Sequence, residues 1–231
     1  NGGIRVEQFG NGASHGIRVV NAAITSGANI YWNDNASFFI RSDAALNIGG
    51  ASNRTTINGI DHVTGTGFPN GVVSAPVGSI YIDTAVTNGA SSWIKKSGTG
   101  NTDWQVLEGD TGWRNITSLV DPLSFSGGTV YIRRQNNTVE IEVIALVPTS
   151  GNSLLIQGIA AALPGFSPRG IYSQQLTGFG SPAALGWLIV GRGVAEGLKI
   201  AAGTGTRWGL IQYPYSPDAQ LWPTTLPGTP A

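Results

Sequence analysis

Glu140 and Glu142, two positions apart in TVEIEV, are the carboxylates best spaced for acid–base chemistry. On an extended strand alternate side chains share a face, so the two would stand about 6.6 to 6.8 Å apart, close to the carboxyl separation of inverting glycosidases. The residue expected opposite Glu140 is Arg133, whose charge would keep that carboxylate ionised and unfit as a general acid. The pair therefore reads as a solvated strand face, and no catalytic residue is assigned. His15 and His62 are the only histidines and lack the H-x-H spacing of a metal pair. Ser14 and Asp61 sit beside them, but nothing brings a nucleophile, a base and an orienting acid together, and a triad is defined by geometry. Asn33-Asp34-Asn35 offers oxygen ligands without the spacing of a known calcium loop and reads as a plain turn. With no Cys, thiolate chemistry and disulfides are excluded. No cofactor and no metal are expected.

Binding chemistry is better supplied. A glycan presents apolar C–H faces and hydroxyls, so a receptor site needs an exposed aromatic platform with amides or guanidinium groups nearby. The C-terminal third offers Tyr172 after a proline loop, Arg207 and Trp208 after GTGT, and Tyr213 and Tyr215 among prolines. These five are the candidate ligand contacts because each falls in or beside a turn, with Gln174, Gln175, Arg192 and Asp218 close in sequence. Trp187, inside the apolar run GWLIV, is expected to face the core instead.

The elements that must carry these residues are strands. Thr129 to Arg134 and Thr138 to Ile144 flank Asn136-Asn137, a two-residue hairpin turn that pairs Ile132 with Ile141 on one face and Arg133 with Glu140 on the other. Arg134 then falls on the apolar face opposite Val139, which counts against this register or marks a strand end where the long side chain reaches water. Further strands are expected at Leu154 to Gln157, Gly170 to Leu176, Gly186 to Val190, Gly197 to Ala201 and Trp208 to Gln212, with one helical turn between 151 and 162 and a loop at LPGFSPRG. The region 113–231 thus reads as a β-sandwich tip of jelly-roll type, ending in a proline-rich tail that straps a neighbouring subunit or frays.

Before it, 71–112 reads as a small β-meander: a strand at Ser79 to Asp83, a turn at Asn88-Gly89, and strands at Trp93 to Lys96 and Trp104 to Leu107. GTGFPNGVVSAPVG (65–78) reads as a hinge, with a domain boundary near 70. Residues 1–70 carry GIRV twice, thirteen residues apart, followed by ANIYW and by short β-favouring pieces at Ser37 to Ile40, Leu46 to Ile48 and Thr55 to Ile60. Pieces so short cannot enclose a core alone, so they suggest rungs of a β-helix or prism that stacks within one chain or winds with identical chains.

The composition fits an all-β class. Among 231 residues there are 34 Gly without a collagen period, only 11% charged residues and a formal charge of zero. The charge gives no basic stripe for nucleic acid, and no apolar run approaches the ~20 residues a membrane-spanning helix needs. The chain starts at Asn and contains no Met, so a fragment of a longer protein is expected.

APVGSIYIDT (75–84), NGASSWIKKSGTGNTDW (88–104) and GDTGWRNIT (109–117) resemble the connector of tail-fibre and minor tail proteins of tailed bacteriophages, especially those infecting actinobacteria. VYIRRQNNTVEIEV (130–143) and LPGFSP (163–168) resemble elements of the host-contacting tip that follows such connectors. The resemblance covers roughly 75–168 and implies a homotrimer of intertwined chains, exposed on the virion after synthesis in the host cytoplasm. It implies attachment to host cell-surface polysaccharide or cell-wall glycan, and to other tail proteins through the missing N-terminal part. A polysaccharide depolymerase of similar architecture and a trimerisation spacer without a ligand are the two competing readings.

Overall fold

A computed structural model describes residues 53–150, 152–179, 186–191, 197–201, 205–215 and 222–231. The GIRV echo, ANIYW, His15, Asn33-Asp34-Asn35, Arg192 and Asp218 lie outside the described residues, as does most of the expected shaft. The described residues form an all-β protein of two sheets, with a single four-residue α-helix, α1 (Ile159–Ala162), in the stretch where one helical turn is expected.

The first sheet has the order β1-β2-β3-β4-β5, from β1 (Arg54–Ile57), β2 (Ile60–Gly65), β3 (Ile80–Asp83), β4 (Ala90–Lys95) and β5 (Trp104–Gly109). Thr55 to Ile60, expected as one strand piece, is a hairpin, because Asn58-Gly59 takes φ of 50° and 77° and reverses the chain. Asn88-Gly89 also turns with positive φ, inside a longer link closed by a 3-10 turn at Thr87–Gly89. The pairing of β2 with β3 is parallel, so 66–79 cannot be a tight turn and must cross over. That crossover is packed: Asn70 exchanges hydrogen bonds with the Trp104 backbone (2.8 and 3.0 Å), and Trp104 Nε1 donates to the Val73 carbonyl at 2.8 Å. The hinge expected at 65–78 is therefore a bound part of the sheet. A boundary at 70 would cut between two paired strands, and 48–231 holds together as one compact unit.

Asp83 anchors the link between β3 and β4. Its buried carboxylate accepts from the backbone N–H groups of Gly67 (3.0 Å), Ala85 (3.0 Å) and Thr87 (2.8 Å). Burial alone would push its pKa up, but the Thr87 hydroxyl together with these amide bonds outweighs it and holds the carboxyl below its ordinary value. A depressed folded-state value contributes stability that is present above the unfolded pKa near 3.9 and lost as pH falls through the lower folded value. Asp83→Ala strands three amide donors and is expected to cost about 3 kcal/mol at pH 7. Urea midpoints at pH 7 and pH 3 should show that cost shrinking in acid, and a pH-independent difference would contradict the assignment.

The second sheet has the order β14-β6-β7-β8-β13-β10-β11-β12-β9. Its strands are β6 (Arg114–Asn115), β7 (Thr129–Gln135), β8 (Thr138–Leu146), β9 (Asn152–Gln157), β10 (Tyr172–Phe179), β11 (Gly186–Gly191), β12 (Gly197–Ala201), β13 (Thr206–Pro214) and β14 (Thr229–Pro230). β10 divides its partners: Tyr172 to Leu176 pairs with β11, and Thr177 to Phe179 pairs with β13. The sheet is thereby split into two leaves, which enclose one core of Ile132, Ile141, Leu155, Phe166, Leu188 and their neighbours. The β7–β8 register is the expected one, Ile132 with Ile141 and Arg133 with Glu140, turning on Asn136 at φ 51°.

The C-terminal tail straps its own body. Trp222 is buried in the core of the first sheet, Arg114 donates to the carbonyls of Pro227 and Gly228, and Thr229–Pro230 pairs with β6 at the sheet edge. Proline is tolerated at such an edge because the missing donor faces no neighbour.

Candidate functional site

Where the two sheets meet, the tip of the β7–β8 hairpin is stitched to the end of β5. Asn136 N–H donates to the Gly109 carbonyl and Gly109 N–H donates to Asn136 Oδ1, both at 2.9 Å. Thr111 and Arg134 exchange backbone and hydroxyl bonds beside them at 2.8 to 2.9 Å. This junction brings three tryptophans from separate segments, Trp93, Trp104 and Trp222, against Arg134 and Tyr215 around a cavity of about 290 Å³.

Arg134 is the centre of the junction. The alternation of β7 points it inward, and it does not reach water: only 3% of it is exposed. Its guanidinium lies 3.6 Å from the Tyr215 ring centroid and 4.7 Å from that of Trp222, and donates to the carbonyls of Gly165 (2.6 Å) and Asn136 (3.0 Å). Burial pulls its pKa down to about 10, so it remains a cation at neutral pH. The expected escape of Arg134 to solvent is thus corrected: cation–π stacking and backbone acceptors replace hydration. Gly109 makes room for this, since a Cβ there would stand 2.8 Å from the Trp222 ring.

The cavity walls are formed by buried aromatic side chains, whereas its rim is polar and exposed. Gln105, Asn137 and Arg169 are exposed at the rim, with Pro214 beside them and no carboxylate among the lining residues. Trp93 Nε1, in the wall, is buried without a hydrogen-bond partner.

The five residues expected to contact ligand are dispersed, and three are buried. Tyr213 shares the inward face of β13 with Ile211, because the strand runs through Pro214 instead of stopping at Gln212, and buried Tyr215, one residue past its end, is bridged to Pro168. Tyr213 donates to the Phe166 carbonyl (2.8 Å), stacks on half-buried Tyr172 at 5.7 Å between centroids, and has its phenol pKa pushed up by burial. Arg207 is 3% exposed because Gly178, opposite it, has no side chain: a Cβ there would lie 1.9 Å from Arg207 Nη1. Trp208 is half-buried. The platform of exposed turn residues is therefore corrected for Arg207, Tyr213 and Tyr215, of which only Tyr215 reaches the cavity. Sequence reasoning missed Gln105, Asn137 and Arg169, which no local pattern distinguishes, since the junction assembles them from three distant segments.

The carboxylates are engaged elsewhere. Arg133 forms a bidentate pair with Asp110, holding that carboxyl below its ordinary range, and approaches Glu140 at 4.0 Å. Glu140 also accepts from Gln212 across β13. Asp61 accepts from Arg54 (2.7 Å) and Thr56 (2.6 Å), while His62 is exposed on the other face of β2. Among the described residues no three His, Asp or Glu side chains gather in a metal-holding group. Nor is any described helix long and apolar enough to cross a membrane. No protein-family model, curated protein or solved structure matches the chain.

Proposed function

We propose that this chain is a receptor-binding fragment of a bacteriophage tail fibre, which attaches the virion to host cell-surface glycan by non-catalytic, multivalent binding. The observation that carries the binding part is the cleft at the sheet junction: an aromatic floor under a rim of two amides and a guanidinium. Aromatic carbon suits the C–H face of a sugar, and the rim groups suit its hydroxyls. The phage assignment rests on the resemblance of 75–168 to tail-fibre connectors. In this reading three copies present three clefts, and linked binding raises apparent affinity by about 10² to 10⁴ over a single site.

The test is binding of fluorescently labelled protein to intact bacteria across a host panel, comparing the native chain with Gln105→Ala/Arg169→Ala. Both side chains are exposed, so the double variant should keep its melting temperature to within a few degrees while cell binding falls about tenfold or more. Unchanged binding would remove the cleft from the reading. Reducing-sugar release from host cell wall would replace attachment with depolymerisation, and a monomer by sedimentation at micromolar concentration would remove multivalency.

A further inference from the structure

Trp187 breaks the pattern of the other core-associated tryptophans. GWLIVG alternates, and Leu188 and Val190 occupy the inward positions of β11, so Trp187 is turned to the outer face and is 40% exposed. The inward orientation expected from its apolar neighbours is corrected by this parity: the run supplies its core contacts through the even-numbered residues. Among the described residues it is the aromatic that stands out in a set of exposed large hydrophobics otherwise made of Ile, Val and Leu.

What surrounds Trp187 is suited to a flat polar ligand. Directly across on β10 is exposed Gln175, and directly across on β12 is Ala201, whose methyl group is too small to cap the ring. One step along the sheet, Ile189 pairs with Ser173 on one side and Lys199 on the other. A groove of about 350 Å³ continues from there over β12 and β9, lined by Ile189, Lys199, Ala201 and Leu154. The outward residues flanking the ring thus offer an amide, a hydroxyl and an ammonium, and no carboxylate.

We propose that this outer face of β10, β11, β12 and β9 is a saccharide-binding platform separate from the cleft. One sugar ring stacks on Trp187 while Gln175 and Ser173 bond its hydroxyls, and the chain continues along the groove past Lys199, which admits neutral or acidic residues. A buried apolar partner would demand a drier face than this one, where amide, hydroxyl and ammonium groups interrupt the aromatic and aliphatic carbon. The platform rests on the reading that the chain binds glycans, but it uses residues that the cleft does not, so the two can fail separately.

Affinity electrophoresis of the full chain through gels containing dextran, mannan, arabinogalactan or polygalacturonate tests it. At least one polysaccharide is expected to retard the native chain. Trp187→Ala should then weaken that retardation about tenfold or more, and Trp187→Tyr should weaken it less, with the melting temperature unchanged in both. Retardation in polygalacturonate alone, lost in Lys199→Ala, would specify an acidic sugar. Equal retardation of native chain and Trp187→Ala, or none for the native chain in any gel, overturns the platform. A change of oligomeric state in Trp187→Ala assigns the face to a second copy of the chain and also overturns it. Loss of cell binding in Gln105→Ala/Arg169→Ala beside intact gel retardation keeps attachment through the cleft distinct from the platform.

Discussion

Arg134→Ala lowers the unfolding free energy by about 4 kcal/mol, one of the two largest losses expected from a single substitution at the sheet junction. Removing the guanidinium strands the buried carbonyl of Gly165, at about 1–3 kcal/mol, and takes a donor from the carbonyl of Asn136, an exposed residue. It also takes away stacking on Tyr215 and Trp222, worth roughly 2 kcal/mol where water is excluded. Water entering from the adjoining cavity offsets part of that sum, which is why the expected loss is below the total. Arg134→Met restores volume but not the donors, and by keeping water from the carbonyls it should lose about as much. Arg134→Lys should also be destabilising, since an ammonium cannot lie flat between two rings while reaching two carbonyls. Urea denaturation at pH 7 measures all three, and an Arg134→Ala midpoint within error of the native protein would refute a structural role for this cation.

Trp222→Ala is expected to cost about 3–5 kcal/mol, as for other fully buried aromatic truncations. Trp222 is 2% exposed, packs with Trp93 and Trp104, and donates from Nε1 to the Asn88 carbonyl at 2.9 Å. Asn88 returns a bond of 2.9 Å to the Pro223 carbonyl, so this contact ties the C-terminal strap to the β3–β4 link. The substitution should therefore also loosen the strap, seen as faster proteolysis after residue 222. Because Trp222 and Arg134 touch, their effects should not add: the double variant Arg134→Ala/Trp222→Ala is expected to lose less than the sum of the two, by about 1 kcal/mol or more. Strict additivity would mean that the rings and the guanidinium do not act as one unit.

The local signals in the chain were legible where chemistry is short-range. Asn136 tolerates a left-handed conformation and so sets the β7–β8 register, including the cross-strand pair of Arg133 and Glu140. The same logic places the strands at Leu154 to Gln157, Gly186 to Val190 and Gly197 to Ala201 and the helical turn near Ile159. Asn58-Gly59, at φ 50° and 77°, carries the same kind of signal for the β1–β2 hairpin. Proline was misleading at Pro214, since a ring that removes one donor can close a strand whose side-chain alternation is undisturbed, carrying Tyr213 inward, with Tyr215 buried one residue past its end.

By itself, then, the sequence determined the all-β class, most strand positions and the pairing of one hairpin, because alternation and turn preference act over a few residues. Only the tertiary structure decided which side chains meet water. Arg134, Arg207 and Tyr215 are buried by contacts with segments 29 to 81 residues away, and Trp187 is exposed by the parity of its strand. Burial depends on what a second segment brings to the same place, and neither the composition of a turn nor the polarity of a run encodes that partner.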